Sequence, residues 1–402
     1  MDEREDIGGI LDAWPQSADG TDWDGKGLLE LVRRDQSPFG SALSVPALIA
    51  EIERVLRSRV VDIPAVAFGA HNFGFHFILA NRPNVIARVS RGDLRNPAYR
   101  ESGTLETQLH HGLFELDVYR ALKPLGSPFS GAPVYHRRAV DPAYLPGYPP
   151  SGICGRLLFV FEPAPGERYD YVAWRRLTRE QKSQVLRDAA KVAARLFEFT
   201  PSPELPNTWM LRQACSPKAR VIIRDFSGDQ TTLPMLVPLL LPQLDSEQDE
   251  HTLYRPVLDH GDFGIHNMTI SLDDADKPLI TSVFDWEEGV VVPALLSEPR
   301  MVVTVDLVLN ASLEPCIRRW GDGDTPDKMA EYRTWSEEYY GALFAESPSY
   351  RRALEAGRDA RRLWTWLRHI DKGECDTLEQ IEQLAAWAEA KHLSLGAQDG
   401  ND

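Results

Sequence analysis

Two stretches hold most of the chemistry in this sequence: Leu258-Asp-His-Gly-Asp-Phe-Gly-Ile-His-Asn-Met-Thr-Ile270 and, after a charged turn, Thr281-Ser-Val-Phe-Asp-Trp-Glu-Glu288. The first is a polar loop between short apolar runs, with an acid at 262 and an amide at 267. The second is an apolar strand that ends in an acid at 285. Loops and strand ends place side chains at a binding surface on a rigid support. Asp262 is able to accept a hydroxyl proton, and Asn267 and Asp285 are able to hold magnesium. That trio is the minimum set for phosphoryl transfer.

The chain before this pair reads as sheet. Periodicity predicts a helix over 45–60, with Leu48, Ile52, Val55 and Leu56 on one face. Strand-like runs follow at 65–68 and 73–79, where Phe73, Phe75, Phe77 and Leu79 alternate as one buried face. Residues 81–84 form a turn by composition, and 85–90 a third strand paired as a hairpin. Residues 91–102 read as irregular. A long helix is expected over 104–123, with Leu109, Leu113, Leu116, Tyr119 and Leu122 on its buried side. Val134 and the run 156–162 complete a sheet of about five strands, and Pro163-Ala-Pro-Gly166 ends it. Beyond that point the chain reads as mostly helical. The clearest helix is 178–199, where Thr178 and Gln181 are spaced as a capping box. Further helices are expected over 332–344, 350–370 and 377–393. A sheet-rich half joined by a short segment to a helix-rich half is α+β. Residues 162–166 read as a hinge, with the site expected in a cleft beside it.

At this point the chain resembles a known family. His260-Gly261-Asp262 with Asn267, then Asp285-Trp286-Glu287, is similar to the catalytic loop and metal motif of aminoglycoside phosphotransferases. The wider group includes choline kinase and has the protein-kinase-like fold; the variant most similar here is its large fungal branch. The resemblance runs over roughly residues 62–310 in motif order. Either half of the motif alone would be weak, whereas the two together are specific. By composition, residues 1–42 read as an acidic, loosely ordered N-terminal extension, with Trp14 and Trp23 hinting that parts of it dock on the folded body. The resemblance implies a bilobal fold: a small N-lobe with an antiparallel sheet and one long helix at 43–162, and a larger, mainly helical C-lobe at 163–402. It also implies an ATP- and magnesium-dependent kinase acting on a hydroxyl of a small molecule.

Roles carry over by position. Asp262 matches the catalytic acid that orients and deprotonates the acceptor hydroxyl, and Asn267 and Asp285 match the magnesium ligands. Asp262-Phe-Gly264 spells a kinase metal motif by accident, because the matching metal acid is Asp285. The turn from Gly69 to Gly74, including Asn72, matches the phosphate-covering turn. Arg88 stands where most kinases carry the nucleotide-binding lysine; it keeps the charge but differs in reach and shape. Glu115 matches the helix acid that pairs with this cation, with Glu106 the runner-up. Phe161 and Glu162 open the hinge whose backbone would hold the adenine edge. His260 reads as structural, His266 as a loop or surface histidine, Glu287 as a second-sphere group or helix cap, His71 and Asn72 as turn formers, and the phenylalanine series as core.

Composition narrows the alternatives. The 402 residues are 43% hydrophobic and 26% charged, as in globular proteins. No apolar run approaches the length of a membrane span. The N-terminus, with eight acids in its first 25 residues, resembles no targeting sequence. Four dispersed cysteines give neither a disulfide framework nor a zinc motif, so a cytoplasmic location is expected. A net charge of -16 disfavours a nucleic-acid binder. Two other function classes fit parts of the pattern. A nucleotide-binding relative with a regulatory or scaffold role would explain the missing lysine, but the intact trio counts against it. A metal-dependent phosphohydrolase could use His260, Asp262, His266 and Asp285, but would need further ligand motifs that the sequence lacks. Acceptor specificity is expected within 200–256 and after 290. There Asp306, Glu314, Asp322 and Asp324 read either as amine binders or as surface acids.

Overall fold

Alternating aromatic residues build the first sheet. The computed structural model describes residues 10–17, 19–101, 103–140, 153–201, 247–310, 312–321, 323–361 and 386–387. The chain divides into two compact units, Met1–Gly166 with Thr281–Glu287, and Glu167–Ile280 with Glu288–Asp402.

The first unit contains α1 (Leu28–Arg33), α2 (Val45–Leu56), β1 (Val60–Phe68), β2 (Asn72–Leu79), β3 (Val85–Ser90), α3 (Pro97–Glu101), α4 (Gly103–Leu122), β4 (Tyr135–Arg137) and β5 (Leu158–Phe161). Its five strands form one antiparallel sheet in the order β1-β2-β3-β5-β4. Phe73, Phe75, Phe77 and Leu79 are buried together with Leu48, Ile52 and Leu56 of α2. Helix α2 stops at Leu56, short of residue 60, because Arg57 turns left-handed with φ 52° and delivers the chain into β1. Within the stretch expected to be irregular, Asn96 accepts from the Ala98 amide and Pro97 opens the short helix α3, an Asn-Pro start signal.

The segment before residue 43 contributes to this core. Trp23, Leu28, Leu29 and Phe39 join the cluster, and Trp14 stacks on Trp23 at 5.6 Å. The Val66 amide donates to the Gly25 carbonyl at 2.7 Å. Asp12 pairs with the fully buried Arg156, which also donates to the Ser90, Arg91 and Ala42 carbonyls. These apolar residues are few and aperiodic, so each docks singly and leaves no periodic signature.

The second unit contains β6 (Glu167–Arg168), α5 (Tyr171–Arg176), α6 (Arg179–Glu198), α7 (Glu247–Tyr254), β7 (Pro256–Asp259), β8 (Met268–Leu272) and β9 (Pro278–Val283), the last of which leads the chain back to the first unit. After its return come β10 (Val290–Pro293), β11 (Met301–Val302), β12 (Asp306–Leu309), β13 (Pro315–Arg318), α8 (Pro326–Glu346) and α9 (Pro348–Ala356). Helix α6 has the capping box and buries Val185, Ala189, Val192 and Leu196 on one face. Among the described residues of the second half, eight short strands in three small sheets lie between the helices, which the reading of a mainly helical half did not include. They are two to six residues long, too short to display a period of two. Apart from 386–387, the helix expected over 377–393 lies outside the described residues, as does most of 201–256. No helix among the described residues is long and apolar enough to cross a membrane. Cys154 and Cys316 are free thiols.

Candidate active site

The loop of the second unit starts where β7 ends. β7 pairs antiparallel with β10, with Asp259 opposite Val290, and the chain then turns through Gly261 at φ 80°. A β-carbon at Gly261 would lie 1.9 Å from the Glu288 carbonyl oxygen, so only glycine fits this turn. Asp259 is structural: its carboxylate accepts from the Ser297 hydroxyl at 2.5 Å and the Glu298 amide at 2.9 Å. At the loop's far side the Val302 amide donates to the Phe263 carbonyl at 2.9 Å. A short 3-10 turn, Ile265–Asn267, leads into β8.

This frame presents Asp262 with one oxygen pinned and one open. Oδ2 accepts from His266 Nε2 at 2.8 Å and from Asn267 Nδ2 at 3.2 Å. Oδ1 has no hydrogen bond among the described residues, and the side chain is 41% exposed. Asn267 is buried and also donates to the Asp262 carbonyl at 2.9 Å. Partial burial alone would push the Asp262 carboxyl up. The hydrogen bond from His266 and the positive potential of His266, His260 and Arg300 outweigh that and hold it down at about 2. Asp262 is therefore ionised at neutral pH.

The first unit carries the cation. Arg88 lies on β3 opposite Gly74 of β2 and Phe159 of β5. Its guanidinium pairs with Glu115 of α4 and, at 3.1 Å, with Asp285 Oδ1. It also lies over the Phe159 ring, 5.0 Å from its centroid. Glu115 is completely buried on the face that α4 turns inward, and the Arg88 side chain is 17% exposed. Burial works against the charge on Arg88, but the Glu115 and Asp285 carboxylates outweigh it and keep the guanidinium protonated. Complete burial pushes the Glu115 carboxyl up, with Arg88 pulling the other way. Asp285 has a left-handed backbone at φ 69°, its amide donates to the Tyr119 hydroxyl at 3.2 Å, and its second carboxylate oxygen has no hydrogen bond among the described residues.

The remaining sequence-derived positions lie in the same unit as Arg88. Gly69 to Asn72 closes the hairpin between β1 and β2, with the Gly69 amide donating to the Asn72 carbonyl at 2.9 Å. Arg91 holds this turn from beside it, donating to the Gly69 and Ala70 carbonyls. Gly74 faces Arg88 across the ladder with room for a β-carbon, so sterics do not require glycine there. Phe161 ends β5 beside Tyr119, and Glu162 is exposed immediately after it. The side chain of Glu106 lies outside the described residues. Two contacts on the loop escaped the sequence reading. His266 read as a surface histidine although its i+4 spacing from Asp262 is a usable signal. Arg300, whose Nη2 donates to the Gly261 carbonyl at 2.9 Å, comes from 39 residues further on and has no local signal.

Among the described residues, no three His, Cys, Asp or Glu side chains converge as a metal cluster. Asn267, in the second unit, and Asp285, in the first, each keep one side-chain oxygen without a hydrogen bond among the described residues.

An α+β chain with these two constellations has the parts of a phosphotransferase. The model of the phosphotransferase enzyme family matches residues 63–296, more than half of the chain, and the protein belongs to that family. Among solved structures it is similar to the GDP and kanamycin complex of an APH(2") enzyme, at 12% identity over 86% of this chain and 98% of that one, with a TM-score of 0.42. It is similar to the streptomycin–ATP ternary complex of an APH(2") enzyme at 15% identity, 86% and 97% coverage and a TM-score of 0.38. The macrolide 2'-phosphotransferase of Brachybacterium faecium gives 14% identity, 87% and 96% coverage and a TM-score of 0.38. A search of the curated proteins gives no match.

Proposed function

We propose that this phosphotransferase is a kinase that moves the terminal phosphoryl group of ATP to a hydroxyl of a small molecule, with magnesium. The observation that carries the reading is the half-pinned Asp262. His266 and Asn267 fix Oδ2 and leave Oδ1 free to accept a hydrogen bond from an acceptor hydroxyl. In the transfer, the acceptor oxygen forms its bond to phosphorus and the bond from phosphorus to the leaving ADP oxygen breaks. The hydroxyl proton passes to Asp262 Oδ1. A carboxyl with so low a pKa is a weak base, so Asp262 acts first by orienting the hydroxyl and takes the proton late.

Arg88 is the group on the nucleotide phosphates, held by Glu115 at the correct side of the sheet. The turn at Gly69, Asn72 and Gly74 lies over those phosphates, and the backbone at Phe161 and Glu162 receives the adenine edge. Asn267 and Asp285 would hold magnesium, which neutralises charge on the phosphate oxygens. Arg88 grips one oxygen of Asp285 and leaves the other for that purpose.

Calorimetric titration of ATP, with and without magnesium, tests the reading on the wild type and on an Asn267→Ala/Asp285→Ala variant. The expected result is magnesium-dependent ATP binding that the double substitution weakens at least tenfold. ATP affinity insensitive both to magnesium and to the loss of the two side chains would overturn it.

A further inference from the structure

Of the acids named as amine binders, the three described ones already have partners, and Asp322 lies outside the described residues. Asp306 is 3% exposed, and its two oxygens accept from Arg319 at 2.6 and 2.7 Å, with Arg300 at 3.9 Å. Asp324 accepts from the Gly321 amide, Lys328 and the Tyr332 hydroxyl. Glu314 accepts from Asn310 at 2.9 Å.

A cavity of about 650 Å³ lies within the second unit, a size suited to a small molecule. Its charged lining among the described residues is four guanidinium groups, Arg300, Arg318, Arg358 and Arg361, against two carboxylates, Glu298 and Asp359. In a chain of net charge -16 this is a local reversal of sign. Leu309, Leu313 and Tyr340 supply an apolar wall. Two of the arginines are committed to protein: Arg361 donates to the Leu295, Ala353 and Leu354 carbonyls, and Arg300 donates to Gly261, the residue before Asp262. The other two present their guanidinium groups more openly. The Arg318 side chain makes no hydrogen bond or ion pair among the described residues, and Arg358 has a loose ion pair with Asp359 at 3.9 Å and is more than half exposed. Arg300 thus lines the cavity and holds the catalytic loop at the same time.

We propose that this cavity is the acceptor pocket, and that the acceptor is a hydroxylated anion with an apolar body rather than a polycation. Arg318 and Arg358 fork a carboxylate or phosphate, the apolar wall covers the body, and Arg300, shared between the cavity and the Gly261 carbonyl, ties the pocket to the loop that carries Asp262. The inference rests on the kinase reading for the word acceptor, but not for the charge of the ligand.

The test uses probes of equal length and opposite charge: 8-hydroxyoctanoate, 8-hydroxyoctyl phosphate and 8-amino-1-octanol. Each is titrated into the full chain by calorimetry, with ATP titrated into the same preparation. At least one anion should bind tenfold or more tighter than the amine, and the better anion identifies the headgroup. An Arg318→Ala/Arg358→Ala variant should lose about tenfold in anion affinity, as expected for two partly exposed charge-assisted contacts, and leave ATP affinity unchanged. Charge reversal, Arg318→Glu/Arg358→Glu, should make the amine the preferred probe, a gain that misfolding does not produce. Equal or tighter binding of the amine by the wild type, or anion binding indifferent to both double variants, would overturn the proposal. Charge-selective anion binding without any ATP binding would remove the acceptor role, and the kinase reading with it, while leaving the ligand class of the cavity standing.

Discussion

Arg88 and Asp262 are both fixed by side-chain partners, yet they are held in different ways. Arg88 lies in a sheet, between a carboxylate with no solvent access and one that is 36% exposed. Asp262 lies on a loop, 41% exposed, with a single oxygen fixed by His266 and Asn267. Removing a partner from a buried pair leaves a charge that water cannot reach, whereas a half-exposed carboxylate stays hydrated when a partner is lost. The cation is therefore part of the fold, and the loop acid is bound to it more lightly. The kinase reading gives both of them a chemical role as well.

The largest expected effect tests the loop side of that contrast. Asp262→Asn keeps shape but loses the charge and the capacity to take a proton. Turnover on the acceptor should fall by roughly 10²–10⁴, the usual weight of a positioned acid–base group, while ATP affinity stays near wild type and the fold loses only about 1 kcal/mol, the screened linkage of a partly exposed carboxyl held at about 2. Phosphate transfer and nucleotide affinity measured on the same sample decide it. Wild-type turnover would remove Asp262 from the mechanism.

Arg88→Ala tests the sheet side. It strips the partner from the completely buried Glu115 and should destabilise the protein by about 3 kcal/mol, near the lower end for a broken buried pair because Glu115 can take up a proton. Turnover should fall at least tenfold. An Arg88→Met/Glu115→Gln double variant separates the two effects: urea denaturation should show most of the stability restored, and turnover should stay low. If the double variant is no more stable than Arg88→Ala, the cation is not part of the fold in the sense argued.

How far the sequence reading reached follows from the same contrast. Asp262, Asn267 and Asp285 were legible because the loop and strand end are local motifs. The aromatic face of β2 was legible because its alternation is unbroken over four positions. Glu115 could be placed on the inward side of α4, but its choice over Glu106 depended on the path of the connection, which local pattern does not encode. The docking of Trp14 and Trp23 was only hinted at, since each residue packs singly. The short strands of the second unit and Arg300 on the Gly261 carbonyl escaped. The strands are too brief to show a period, and the contact joins residues 39 apart through tertiary structure.

Gly261→Ala probes what fixes the loop in the absence of a buried ion pair. The turn at φ 80° and the approach to Glu288 leave no space for a methyl group. A destabilisation of about 2 kcal/mol is expected, within the range for a residue forced into a sparsely populated conformation. Activity should fall by more than the folded fraction explains, because Asp262 would shift with its neighbour. A variant with unchanged midpoint would show that the loop yields, and that the Gly261 turn is not what fixes Asp262.

The smallest effect is silent at neutral pH and concerns the surroundings of Arg88. On β4, opposite Phe159, the His136 ring lies 4.5 Å from the Phe159 ring, so Arg88 and His136 flank one phenyl group from neighbouring strands. Its Nε2 is buried without a hydrogen bond among the described residues. Burial, then the positive charges of Arg138, Arg120, Arg137 and Arg88, push its pKa down from 6.5 to about 4. A histidine with a depressed folded pKa binds fewer protons folded than unfolded. Its contribution to stability is complete above the ordinary value, is lost progressively as pH falls from 6.5 toward 4, and levels off below that. His136→Leu, close in volume, removes this linkage. At pH 5 the full linkage is about 2 kcal/mol, and halving it for solvent screening leaves about 1 kcal/mol. The difference in unfolding free energy between wild type and variant, followed by urea denaturation from pH 7 to pH 4, should therefore move by about 1 kcal/mol in favour of the variant by pH 5. A difference that stays flat across this range would mean that a second positive charge is tolerated beside Arg88, and the sheet site would then be less dry than its contrast with the loop requires.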